Sequence, residues 1–299
     1  FKFPPPAGFQ PLTLANTPRP TIVRPDQYVG VTTYTGNGGT QSINVGFQPD
    51  LVWIKKRNSS TNSNHVLADT VRGVSTFLSS SGTFAESTFD ASWRSTYGDL
   101  TAFRSNGFTV VSGSNGDDNI NSSSNTYVAW AWKAGGQIGV GRSFMIDNVG
   151  FATAGDAGMN TGTITPTGAS VNRKSGFSII TYTGTGVSAT ISHGLSGTPA
   201  MIITKARDNS SFGGEGWNTY HSSLTAGYAL QLNSTQGQFV GSPTMYPTAP
   251  GSSVFTLGTN SGTNQSTVRY VSYIWAEIPG FSKFGSYIGN NSSSGPFIY

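Results

Sequence analysis

The sequence contains no cysteine in its 299 residues. This excludes a disulfide framework and any metal site built on thiolates. Charge is also scarce, because only 10% of the residues are Asp, Glu, Lys or Arg, whereas an average globular protein carries about 25%. No apolar run approaches the ~18–20 residues that a membrane-spanning helix needs. We therefore expect neither a disulfide-stabilised scaffold nor membrane insertion.

The few basic residues give a formal net charge of +4 but form no stripe along the chain. Their one cluster is Lys55, Lys56 and Arg57, directly after an apolar segment. A nucleic-acid surface requires Lys and Arg gathered on one face, and a short cluster at a strand end is more often solvated. We therefore expect no nucleic-acid partner.

What the sequence does contain is typical of short strands joined by many turns. There are 39 glycines, and aromatic residues make up 12% of the chain. The stretch "YVAWAW" at 127–132 alternates, with Val128, Trp130 and Trp132 on one face and Tyr127 with two alanines on the other. The runs "DLVWI" and "AMIIT" are continuously apolar, as in strands covered on both faces. The pattern predicts an all-β protein.

The chain also contains an internal repeat. Residues 31–57, "VTTYTGNGGTQSINVGFQPDLVWIKKR", match 179–207, "IITYTGTGVSATISHGLSGTPAMIITKAR". Further along, 107–113 resembles 254–259, and 127–132 resembles 270–275. Several short strands with frequent turn signals in about 100 residues indicate an antiparallel sandwich. The repeat therefore predicts two tandem antiparallel β-sandwich modules.

The repeat divides the chain into five parts: residues 1–25 as the exit of a preceding domain, 26–133 as the first module, 134–174 as a Gly/Thr-rich arm, 175–279 as the second module, and 280–299 as the start of a third. We expect the arm to extend across neighbouring modules or subunits. The alternative is a flexible linker, and the "FMI" cluster of the arm argues against it.

The final stretch, "KFGSYIGNNSSSGPFIY", repeats the opening of a module, with Tyr287 in the place of Tyr182. The chain is therefore expected to be an excerpt of a longer polypeptide. The best helical candidate is 70–80, "TVRGVSTFLSS", where a short turn fits equally well.

In combination, "YTGNGGTQSINVGFQPDLVWIKKR", "NTYVAWAWKAGG", "GFSIITYTGTGVSATISHGLSGTPAMIITKARD", "WNTYHSSL" and "GFSKFGSYIGN" resemble a repeated β-domain of tailed-bacteriophage virion proteins, many from marine and cyanobacterial phages. In those proteins the repeats often follow a SPRY or concanavalin-like domain. The opening residues of this chain resemble the segment that leaves such a domain. The resemblance covers nearly the whole chain. It implies a structural or appendage protein of a virion and supplies no site residues.

No arrangement typical of catalysis or metal binding stands out. The three histidines, His65, His193 and His221, lack metal-ligand spacing and are expected to hydrogen-bond in turns or at strand ends. A glycosidase requires two carboxylates that face one cleft. The second module has no Asp or Glu pair at the positions that match those of the first. The loop 113–121, with Asn115, Asp117, Asp118 and Asn119, lacks the ligand spacing of a calcium loop and favours a turn. We predict no catalytic residue, no metal site and no cofactor.

Aromatic residues in loop-like segments are the remaining candidates for recognition. Trp93 and Tyr97 lie in "SWRSTYG", and Trp217 and Tyr220 lie in "GEGWNTYHSS". Exposed aromatic rings can stack on sugar rings, which makes these four residues candidate glycan contacts. The favoured alternative is that they cap the sandwich or are buried in an interface.

The leading hypothesis is a non-enzymatic virion protein, a fiber, spike or other appendage component that contributes to host-surface attachment. The expected partners are copies of itself, with a trimer considered, other virion proteins and a cell-surface glycan. The expected location is the virion exterior or tail. The alternatives are a capsid decoration protein or a lectin-like carbohydrate-binding module, and the least favoured is a polysaccharide depolymerase.

Overall fold

The structure is a computed structural model that describes residues 20–58, 63–115, 120–208, 216–240 and 245–297. Nearly all regular structure in these ranges is β-strand. The strands form two face-to-face sandwiches that are themselves stacked. The predicted all-β class with antiparallel β-sandwiches is therefore confirmed.

The first module contains a four-stranded and a three-stranded sheet. Its strands are β1 (Val29–Thr35), β2 (Thr40–Asn44), β3 (Leu51–Lys56), β4 (Val66–Asp69), β5 (Asp99–Arg104), β6 (Gly107–Val111) and β7 (Thr126–Trp132). The order is β1-β7-β3-β4 in one sheet and β2-β6-β5 in the other. Val52, Phe108 and Tyr127 belong to the core between them. Two 3-10 turns, Pro25–Gln27 and Glu86–Phe89, and helix α1 (Ala91–Tyr97) complete the module.

The segment 134–174, which we expected to extend as an arm across neighbouring modules or subunits, instead contributes strands to the main sheet of the second module. It forms β8 (Phe144–Ile146), β9 (Val149–Phe151) and β10 (Gly168–Asn172), which extend the main sheet of the second module. The reason is alternation within "GASVN": Ala169 and Val171 enter the second core. The three strands therefore belong to the second module.

The second module repeats the plan with additions. Its strands are β11 (Phe177–Thr183), β12 (Ala189–Ser192), β13 (Pro199–Ala206), β14 (Asn218–His221), β15 (Tyr228–Gln231), β16 (Phe239–Val240), β17 (Val254–Leu257) and β18 (Arg269–Ala276), with the short helix α2 (Ser261–Asn264). The main sheet has the order β16-β15-β14-β13-β18-β11-β10-β8-β9, and β12 pairs with β17 on the other side of the core.

The repeat in the sequence is a repeat in the structure. The order β11-β18-β13-β14 in module two reproduces β1-β7-β3-β4 in module one. Tyr34 lies opposite Tyr127 in the first ladder, and Tyr182 lies opposite Tyr270 in the second. Both tyrosine pairs are stacked, with ring centroids 4.9 and 5.2 Å apart. The matching registers show that equivalent positions of the two modules have the same orientation.

The two main sheets pack against each other through their outer faces, and we call this contact the seam. Its apolar core is built from both modules: Leu51, Leu67, Leu78, Ala134, Phe177, Ile179, Ile203, Trp217, Val271 and Tyr273. On β3, Leu51 faces the seam while Val52 faces the core of its own module. Burial of both faces explains why "DLVWI" and "AMIIT" are continuously apolar.

Three local expectations have definite outcomes. Residues 70–80 form a turn with positive φ at Gly73 and Ser75, not a helix. The helix lies instead at α1, where the Asp90 carboxylate accepts a hydrogen bond from the Trp93 N–H. Residues 283–297 form no strand, so the strand expected to open a third module is not formed. No helix in the described ranges has the length and apolar character needed to cross a bilayer.

Candidate functional site: an aromatic cleft at the seam

Trp217, one of the four predicted glycan contacts, is fully buried. Its indole N–H donates to the backbone carbonyls of Ser79 at 2.7 Å and Gly82 at 3.2 Å, both in the other module. Its ring stacks on Tyr273 with centroids 6.3 Å apart. The stacking role predicted for Trp217 is therefore wrong: both faces are occupied by protein, and the residue joins the modules.

The other three predicted residues do not assemble into a site with it. Tyr220 is buried in the second core, with its ring 5.9 Å from that of Tyr246. Trp93 and Tyr97 are half-buried on α1, where Trp93 packs edge-on against Phe89 at 4.8 Å. Within the described residues, no ring contact joins the α1 pair to the other two. These aromatics serve mainly to close their own modules, which was the favoured alternative.

The histidines have definite places in the structure, whereas part of the loop considered for calcium does not lie in the described ranges. Asp117, Asp118 and Asn119 lie outside the described residues. All three histidines accept hydrogen bonds through Nδ1, as expected for turns and strand ends: His65 from the Trp53 indole, His193 from the Leu195 N–H and His221 from the Ser223 N–H. Across the parts of the chain that are described, no three His, Asp or Glu side chains are grouped to hold a metal ion.

A cleft of about 580 Å³ lies at one end of the seam. This seam cleft is lined by Pro25, Asp26, Tyr28, Val29, Trp53, Trp132, Ser175, Phe177, Met201, Ile203, Trp275, Phe281, Ser282 and Phe284. The lining comes from both modules and from the segment that follows β18. Its volume lies in the range of small-ligand sites, which are often found between domains.

The cleft is built from outer-face positions of the main strands. Trp132 and Trp275 are the last large residues of β7 and β18 and occupy equivalent places in the two modules. Their rings meet edge-on, with centroids 6.3 Å apart at 71°. Phe177 stacks on Trp275 at 5.0 Å, and Trp53 lies 6.5 Å from Trp132. The result is a continuous aromatic wall that stays partly open to solvent.

Few polar groups line the cleft beside this aromatic wall. The Trp53 indole N–H is occupied, because it donates to His65 Nδ1 at 2.8 Å. Within the described residues, neither the Trp132 nor the Trp275 indole N–H has a hydrogen-bond partner, and neither nitrogen is a buried unsatisfied atom. Each can therefore donate to a ligand. Asp26 at the rim is paired with Arg24 at 2.6 Å, which holds the pKa of this carboxyl below its ordinary value.

The cleft can therefore bind a flat, largely apolar surface that carries hydrogen-bond acceptors. Its lining includes one carboxylate, Asp26, and no histidine, so it offers no paired general acid and base. Stacking on aromatic faces with two N–H donors is chemistry that suits a sugar ring. The arrangement supports recognition, and the sequence signal for it was the recurrence of tryptophan on the outer faces of "DLVWI", "YVAWAW" and "YVSYIW".

Next to the cleft, the seam contains a buried ionic network. Arg72 donates to Asp69 Oδ2 at 2.6 Å, and both side chains are 0% exposed. The same carboxylate oxygen accepts the Tyr273 hydroxyl of the other module at 2.8 Å. Burial by itself lowers the pKa of Arg72, but Asp69, Tyr273 and Glu86 outweigh it and raise that pKa above its ordinary value. The guanidinium therefore stays charged inside the seam.

Glu86 extends this network across the seam. It binds Arg207 of the second module through both carboxylate oxygens, each at 2.8 Å, and accepts from Arg72 at 3.4 Å. Burial acts to raise the pKa of Glu86, but the two arginines lower it overall. Its backbone N–H also donates to the Arg207 carbonyl at 2.7 Å. These contacts fix the relative position of the modules in both distance and orientation.

Fold and site together define a tandem β-sandwich protein whose two modules share a buried core and an ionic network and enclose an aromatic cleft at their junction. The chain belongs to the family described as "Domain of unknown function (DUF7483)", which matches residues 24–299. The match spans both modules as a single region. No curated protein and no solved structure shows significant similarity to the chain.

Proposed function

We propose that this chain is a structural component of a bacteriophage virion, a unit of a fiber, spike or other external appendage that contributes to host-surface attachment. The resemblance of its repeats to those of phage virion proteins supports this role. The observation that carries it is the seam. Two modules joined by a flexible linker would move independently, whereas these two share an apolar core and a buried ionic network. A rigid two-module unit suits a part that must hold a fixed geometry in a large assembly.

The composition is consistent with assembly. A surface rich in Ser, Thr, Asn and Gly and poor in charge can be buried against neighbouring subunits with little cost from desolvating ions. Repeated modules would also give several contacts with a cell surface, so that weak contacts add up to firm attachment.

Localisation on the particle tests this proposal. Antibodies raised against the purified chain should label the outside of purified particles of the phage that encodes it, viewed by immunogold electron microscopy. Label on tail fibers or spikes supports the appendage role, and label spread evenly over the head supports the alternative of capsid decoration. Absence of the protein from purified particles, measured by mass spectrometry, would refute both.

A second candidate function, carbohydrate binding, is favoured by the seam cleft itself. We infer that the wall formed by Trp53, Trp132 and Trp275 stacks on a sugar ring, with the two free indole N–H groups donating to its hydroxyls. A neutral hydrogen bond of this kind contributes about 1 kcal/mol net, or roughly fivefold in affinity. The site replaces the four residues that the sequence suggested.

The test is an array of bacterial surface glycans followed by calorimetry on each hit. Trp132→Phe and Trp275→Phe keep an aromatic face but remove the N–H, so each should weaken binding by about fivefold. Trp130→Phe is the matched control, because Trp130 lies on the same strand and outside the cleft. No binding on the array, or equal binding by all three variants, would reject the glycan site.

A further inference from the structure

The two modules differ at one edge of their main sheets. In the second module, β11 is paired on both sides, with β18 and with β10. In the first module the equivalent strand, β1, pairs with β7 alone, and no other described strand lies beside it. In the second module this edge is therefore occupied by β10. In the first module the equivalent edge, that of β1, has no described strand beside it.

The missing neighbour leaves side chains of β1 uncovered. On the core side of the sheet, Ile180 of β11 is buried beside β10, whereas its equivalent Thr32 on β1 is only half-buried. On the opposite side, Val31 is 63% exposed. A strand added beside β1 would cover Thr32 and place side chains next to Val31, whose equivalent Ile179 is buried in the seam.

The open edge has none of the features that usually prevent pairing. Exposed edge strands are commonly protected by charged residues, proline or a bulge. The sequence of β1, "VGVTTYT", contains neither charge nor proline, and its register with β7 is continuous over seven residues. Its exposed face carries valine and threonine, which favour strand pairing. The edge is therefore competent to add another strand.

We propose that β1 is an interface for β1 of a second copy of this chain, with the two strands antiparallel around a two-fold axis. Such a pairing would join two four-stranded sheets into one continuous eight-stranded sheet. The strand is its own suitable partner, because it carries no charge that would face a like charge and because β-branched residues would lie opposite one another. A two-fold interface closes at two copies, so the proposal specifies a dimer and not the trimer considered from the sequence.

The register of this dimer is constrained by the faces of the sheet. The first-module cores of the two copies must lie on the same side of the joined sheet. A residue that faces the core can therefore pair only with one that also faces the core. One residue near the middle of β1 must therefore lie opposite its own copy, with Cα atoms about 4.5–5.5 Å apart. That residue is Val31, Thr32 or Thr33. This separation lies within the range that a disulfide can bridge.

The first experiment measures mass in solution by light scattering and sedimentation equilibrium. The unmodified chain should be a dimer, and Val31→Lys should weaken dimerisation by about tenfold or more, because in each of the three registers it places a charge within an interface of uncharged side chains. Val187→Lys is the matched control: Val187 is also 63% exposed but lies in a turn of the second module. Thermal unfolding of both variants verifies that the fold is retained. A monomeric chain, or a dimer indifferent to Val31→Lys, overturns the proposal.

The second experiment uses the absence of native cysteine. Single cysteines at positions 31, 32 and 33 are oxidised mildly and separated without reductant. One of Val31→Cys, Thr32→Cys and Thr33→Cys should yield a disulfide-linked dimer at high level, and Val187→Cys should remain monomeric on the gel. Failure of all three to cross-link would refute β1–β1 pairing even if the chain were dimeric. A dimer through another surface, or a β1 edge reserved for a strand of a different protein, would give that result.

Discussion

Replacement of Arg72 by methionine is the most direct test of the seam. The guanidinium is fully buried and donates to Asp69, Glu86, the Leu67 carbonyl and the Tyr273 hydroxyl. Methionine is similar in length and apolar, so Arg72→Met removes the charge and its donors without a large change in volume. What remains is a buried Asp69 carboxylate without its cation.

The magnitude follows from that uncompensated charge. Removing one partner of a buried ion pair typically costs about 3–5 kcal/mol. Asp69 retains the Tyr273 hydroxyl and two backbone N–H groups as donors, so we expect a loss toward the lower end, about 3 kcal/mol. The double variant Asp69→Asn, Arg72→Met removes both charges and should recover part of the loss.

The assay is urea unfolding followed by intrinsic tryptophan fluorescence, which reports the seam through Trp217, Trp132 and Trp275. Arg173→Met is the control, because its pair with Asp147 is more than 40% exposed on both sides and surface pairs contribute at most about 1 kcal/mol. A loss below about 1 kcal/mol for Arg72→Met, equal to the control, would refute the buried seam and with it the rigid two-module unit.

Two further predictions concern buried polar groups. Asn264 accepts a hydrogen bond from the Thr185 N–H and donates to the carbonyls of Val187 and Gly258. Asn264→Ala should therefore lower the free energy of unfolding by about 2 kcal/mol. A change within experimental error in urea unfolding would contradict this. Burial lowers the pKa of His193 to about 4 and raises that of Asp50 to about 6, although hydrogen bonds to Asp50 oppose the increase. The contribution of neutral His193 to the free energy of unfolding is present above pH 6.5 and is lost as the pH falls through 4. The contribution of protonated Asp50 is present below pH 3.8 and is lost as the pH rises through 6. Between pH 7 and 4, the unfolding free energy relative to the unmodified chain should therefore rise by about 3 kcal/mol in His193→Gln and fall by about 2 kcal/mol in Asp50→Asn. Flat difference curves would contradict the assignment.

The sequence was a reliable guide where a pattern is local. Alternation in "YVAWAW" correctly assigned Tyr127 and Ala129 to one face and Trp132 to the other, and the structure shows that the first face is the core. The repeat predicted two modules, and their shared strand order follows from equivalent residues at equivalent ladder positions. These features depend on the two-residue period of a strand, which a sequence displays directly.

The sequence misled where burial depends on distant residues. Trp217 follows a Gly-rich stretch and looks like a loop residue, but the carbonyls of Ser79 and Gly82 cover it from the other module. Strand β10 was missed because "GASVN" is short and only weakly apolar, and it is stabilised by β11 on one side and by a parallel partner, β8, on the other. Neither contact leaves a local signal in the chain.

Duplication of a module accounts for both the seam and the features left open beside it. Each copy carries an apolar outer face, since Trp132 of one module is equivalent to Trp275 of the other, and two such faces can bury each other. The cover is incomplete because the two copies differ: β10 pairs with the edge of β11, whereas none of the described strands pairs with β1 on the side away from β7. Where the two faces separate, the aromatic wall stays open as the seam cleft. The cleft and the β1 edge are therefore the surfaces at which we expect a ligand and a second copy to bind.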